Sequence, residues 1–60
     1  MRKVFLITNM YGYEDIAVSV MFSDTTPTID EAFKFIIEDN NLQGYDIHMT
    51  NTIITEKVDK

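Results

Sequence analysis

A small enzyme needs a nucleophile, a base or paired acids, and this chain supplies few of them. Its one histidine, His48, is the single imidazole base, and it has no cysteine. His48 shares a strand face with Asp46 and Thr50, which reads as a solvated surface position. Ser19 and Ser23 lack the flanking glycines of the sharp strand-to-helix turn that presents a serine nucleophile. The pairs Glu14/Asp15, Asp30/Glu31 and Glu38/Asp39 are adjacent in sequence. Adjacent side chains point apart on a helix or strand, so none of these pairs forms an acid/base dyad sharing a proton. The expectation is a protein without catalytic residues, not an enzyme.

Metal and phosphate chemistry fare no better. Asp39-Asn40-Asn41-Leu42-Gln43-Gly44 resembles the first half of a calcium loop, with oxygens at alternate positions and glycine at the sixth. The twelfth position is Thr50, where a bidentate glutamate is required, and no second helix follows. The segment reads instead as a helix stop. The common zinc sites use cysteine, which is absent. Only two glycines occur, 32 positions apart, so there is no Gly-rich phosphate loop. No metal and no cofactor are expected.

The elements that position these residues follow from the pattern. Val plus Ile total 12 and Thr seven, against four Leu plus Ala, a composition that favours strands. The first strand spans about 3–9, apolar on both parities: Val4 and Leu6 on one side, Phe5 and Ile7 on the other. Gly12 supplies a turn. The second strand spans 15–23, with Ile16, Val18, Val20 and Phe22 on a clean apolar face and Asp15, Ala17, Ser19, Met21 and Ser23 on a weaker one. Thr28-Ile29-Asp30-Glu31 is a capping box that starts a helix over about 29–40. Ile29, Ala32, Phe33, Ile36 and Ile37 make its apolar stripe, and Phe35 falls on the opposite flank beside the acids. Gly44 or an Asn takes the left-handed position that ends it. A third strand is expected over about 45–56.

The order is ββαβ in one small domain, residues 1–60, of the α+β class. The simplest sheet has three antiparallel strands in the order 3-1-2, with the helix packed on one face. One helix covers one face only, yet the central strand is apolar on both. The uncovered face must show either Val4 and Leu6 or Phe5 and Ile7, with Met21 or Met49 nearby, and such a patch marks an interface. Val4, Leu6, Met21 and Met49 are therefore the expected self-association residues of a homodimer. A chain of 60 residues without disulfides has a marginal core, which points the same way.

Charge narrows the remaining partners. The net charge is −5, but the stretch from Val4 to Thr55 holds eight acids and one base, Lys34, for −7. The ends hold Arg2, Lys3, Lys57 and Lys60 against Glu56 and Asp59, for +2. An acidic body repels nucleic acid and anionic membrane, so neither is expected as a direct ligand. The longest unbroken apolar run is Val4-Phe5-Leu6-Ile7, too short for a membrane span or a signal peptide, and a cytoplasmic protein is expected.

Surface character then points to another protein as partner. Tyr11, Tyr13, Glu14 and Asp15 cluster at the hairpin tip, where tyrosine gives contact area at low entropic cost. Phe35, Glu38 and Asp39 form a second patch. The profile is similar to that of small phage or mobile-element accessory proteins, whose place of action is the host cytoplasm. The leading expectation is an inhibitor or modulator of a larger host or defence protein. One alternative is an acidic mimic of nucleic acid that fills the basic cleft of a nucleic-acid-binding protein. Another is a structural subunit of a larger assembly.

Overall fold

The computed structural model describes residues 2–42 and 47–57. Strands β1 (Lys3–Tyr11) and β2 (Asp15–Ser23), helix α1 (Ile29–Asn40), a 3-10 turn (Met49–Asn51) and strand β3 (Thr52–Lys57) follow one another along the chain. The sheet order is β2-β1-β3, the expected 3-1-2 seen from the other side, and both pairings are antiparallel. The helix lies on one face, so the molecule is a two-layer α+β fold.

Strand period decides which side chains the helix covers. Phe5, Ile7 and Asn9 of β1 point under the helix. Their β2 partners Met21, Ser19 and Ala17 point the same way, as do Ile54 and Thr52 of β3. Phe5, Ile7, Ala17, Ala32, Ile36 and Ile47 form the buried core, with Phe33, Ile37 and Met21 packed at its margin. The small side chains of Ala17 and Ser19 let the helix approach β2 closely. The helical stripe is shorter than its sequence pattern implied. Ile29, in the first turn, stays exposed, because the chain is still entering the helix beyond the core there.

The helix ends follow local rules. Thr28 caps the start: its hydroxyl accepts from the Glu31 amide at 3.1 Å, and the Thr28 amide donates to the Glu31 carboxylate at 2.9 Å. At the other end Asn41 takes the left-handed conformation, φ 54°, and the Leu42 amide donates back to the Ile37 carbonyl at 2.9 Å. Leu42 then folds onto the core, the apolar contact that commonly accompanies this stop. The alternative stop at Gly44 lies outside the described residues, as does Gln43 of the calcium-like segment.

The third strand differs from the expected 45–56. Tyr45 and Asp46 lie outside the described residues, and β3 begins only at Thr52. Asn9, fully buried in β1, is the reason. Its side-chain amide donates to the His48 carbonyl at 2.8 Å and to the Thr52 hydroxyl at 3.0 Å. The Asn51 amide donates to that same His48 carbonyl at 3.1 Å, and the Asn51 side chain donates to the Met10 carbonyl at 3.0 Å. These side-chain bonds occupy groups that a longer ladder would use, and they hold 49–51 as a turn.

Candidate interaction surface

The face of the sheet away from the helix carries Val4, Leu6, Thr8 and Met10 from β1 and Phe22, Val20, Val18 and Ile16 from β2, paired in that order. Strand β3 adds Lys57, Thr55 and Ile53 opposite Val4, Leu6 and Thr8. Met10, Ile16, Val18, Val20, Phe22 and Ile53 are each between 49% and 59% exposed, although all six lie in regular strands. Among the described residues no carboxylate lies on this face, and the one charge, Lys57, sits at a corner. The strong apolar alternation of β2 thus faces away from the core, and its weaker face is the one the helix covers.

The expected self-association residues divide. Val4 and Leu6 lie on the open face, half-buried between their neighbours. Met21 does not join them: it pairs with Phe5 and packs against the core on the other side. Met49 lies in the 3-10 turn, off the strand in which the sequence placed it. Met10, Ile16, Val18, Val20, Phe22 and Ile53 were not singled out from the sequence as surface. Their signal was the alternation itself, once the parity of β1 under the helix is known.

The two outward patches also become specific. Gly12 takes a positive φ of 64° at the hairpin tip, and a Cβ there would lie 3.2 Å from an Asp15 carboxylate oxygen. The turn sends the tyrosines apart. Tyr11 packs against the core, while Tyr13 is 102% exposed with Glu14 and Asp15 beside it. On the helix, Phe35, Glu38 and Asp39 stand at i, i+3 and i+4 on one flank, with Phe35 half-buried and both acids exposed. Asp39 is partly committed to the fold. It accepts from the buried Ser19 hydroxyl at 2.8 Å, while the Asn40 side-chain amide donates to the same Ser19 oxygen at 2.9 Å. Lys34 pairs with Asp30 at 3.2 Å across one exposed helical turn.

Among the described residues, no three His, Cys, Asp or Glu side chains are grouped to hold a metal ion, and no helix is long and apolar enough to cross a membrane. His48 is exposed, and Ser19 is engaged with the helix C-terminus. Compared with family models, curated proteins and solved structures, the chain matches none.

Proposed function

We propose that this chain is a non-catalytic binding protein that acts as a homodimer in the cytoplasm and inhibits or modulates a larger protein of a host or its defences. The observation that carries the reading is the open sheet face. Eight apolar side chains lie there around Thr8 and Thr55, free of acids among the described residues, whose acids sit elsewhere on the surface. Monomeric proteins rarely leave so continuous a patch to water. With that face used for association, the outward surface left for a target is the Phe35-Glu38-Asp39 flank and, at the hairpin tip, the fully exposed Tyr13.

The test is affinity capture of a target with the wild-type chain and two variants: Tyr13→Ala, and the double variant Phe35→Ala with Glu38→Gln. Loss of capture in one of the two, with unchanged circular dichroism, supports the reading and locates the surface. A target captured equally by all three chains rejects the proposed surface.

A second reading, the nucleic-acid mimic, draws on the helix. Asp30, Glu31, Glu38 and Asp39 are all exposed there against a single Lys34. Capture that falls steeply with salt and is competed by DNA or RNA selects it; salt-insensitive capture rejects it.

A further inference from the structure

Covering the open face with a second copy demands enough area and compatible charge, and both can be read from the fold. Six side chains there are about half exposed. At areas on the order of 200 Å² for an aromatic side chain and less for the aliphatic ones, they offer at most roughly 600 Å² of apolar surface. Two such faces together bury at most about 1,200 Å² before Val4 and Leu6 are added, at the lower end of stable interfaces. A face with one corner charge also has little with which to select a polar partner, whereas an identical apolar face matches it by composition.

Charge favours one orientation, through Lys57 on the open face and the net charge of each end, since Lys3 and Asp15 have the parity of the helix-covered face. The hairpin tip, beyond the pair Tyr11↔Asp15, carries Glu14 and Asp15. The opposite end of the sheet, at the pairs Lys3↔Ser23 and Val4↔Lys57, carries Arg2, Lys3 and Lys57. Asp24 and Glu56 also lie at that end, leaving it at +1 among the described residues, against −2 at the tip. The two ends are about 26 Å apart along β1, well beyond the screening length of about 8 Å, so within one chain they do not interact. The helix carries its own acids on the far side of the sheet.

We propose that the open face is covered by a second copy of this chain, stacked sheet on sheet about a two-fold axis with strands running in opposite directions. The acidic tip of each copy then meets the basic end of its partner, twice by symmetry. Strands running the same way would set tip against tip and base against base. The inference rests on the reading of the chain as a self-associating binding protein and gives that association its geometry. The alternative second-copy contact is edge pairing through β2, whose Ile16–Ser23 stretch has neither charge nor proline to block it.

Sedimentation at micromolar concentration tests occupancy. The expected mass is twice 7.0 kDa, with Val18→Lys and Val20→Lys each returning the monomer while keeping the circular dichroism of the wild type. A monomeric wild type overturns the proposal, and so does a dimer that survives both lysines, since that points to the β2 edge. A nitroxide on Tyr13→Cys, clean because the chain has no other cysteine, reads orientation. Opposed strands place the two labels about 30 Å or more apart, and a distance of roughly 10–20 Å overturns the arrangement.

Charge exchange is the third arm. Glu14→Lys with Asp15→Lys, and separately Lys3→Glu with Lys57→Glu, should each weaken the homodimer roughly tenfold, and mixing the two variants should restore it. Homodimers left unweakened by either pair reject the opposed orientation. A monomer that still captures a target removes the stacked dimer and leaves target binding standing. A dimer that captures nothing supports the stack and removes target binding.

Discussion

Asn9 lies in the middle strand with no accessible surface, and its amide spans two segments, donating to the His48 carbonyl and the Thr52 hydroxyl. Its carbonyl oxygen has no partner among the described residues. Removing that amide is costly, because the buried Thr52 hydroxyl loses its donor, while the part-buried His48 carbonyl keeps only the Asn51 amide. Asn9→Ala should lower the unfolding free energy by about 1–3 kcal/mol, read as a fall in the urea midpoint at constant slope. Ser19 is a useful contrast. It is just as interior, but its partners Asp39 and Asn40 are exposed and can return to water. Ser19→Ala should therefore cost less than about 1 kcal/mol in the same measurement. A larger loss at Ser19 than at Asn9 would reverse the ranking of these two anchors. Neither role was legible in the sequence, since each depends on residues brought close by the fold, 43 positions apart for Asn9 and Thr52 and 20 for Ser19 and Asp39.

Helix α1 was legible almost to the residue, and the reason is local. A threonine followed three positions later by a glutamate satisfies two backbone amides by reciprocal bonds that need no tertiary partner. Thr28→Ala breaks that exchange and should cost about 1 kcal/mol by chemical unfolding; no change would show that tertiary packing alone sets the helix start. At the other end Asn41 holds a left-handed conformation that glycine adopts without penalty. Asn41→Gly should be neutral to stabilising by less than about 1 kcal/mol, and a clear loss would mean that the asparagine side chain is itself a fold contact. Strand β3 was less legible, because its start depends on Asn9 in a distant strand rather than on its own alternation. Strand β2 is a different case. Its period was read correctly, but period does not say which face is inward, and the helix selected the side bearing Ala17 and Ser19. Sequence alternation located a strongly apolar face; only the parity of β1 showed that this face is open.

For the whole molecule, the proposed pairing through that open face would make stability a function of concentration. A chain with one buried layer and a second apolar layer in water gains by pairing, and any species that binds only the folded form stabilises it by mass action. Area alone does not give the affinity, since ordering two bodies costs several kcal/mol and the rim charges add little. Concentration dependence is therefore the sharper readout. Raising the protein 100-fold should stabilise a folded dimer by about 2.7 kcal/mol per mole of dimer, because unfolding releases two chains. Shared between two 60-residue chains, that is a rise in thermal midpoint of roughly 5–10 °C. On the proposed stack, Val18→Lys should melt at one temperature across the same range, because its folded state would be monomeric. It should also melt below the wild type at every concentration where the wild type is paired. A wild-type midpoint that does not move with concentration would mean that the open face contributes nothing to stability in solution. The paired state would further make the acidic helices the two outermost layers, displaying Glu38 and Phe35 twice on opposite sides of one particle. A target that engages both sides would bind with avidity that the lysine variant loses even with its helix surface intact.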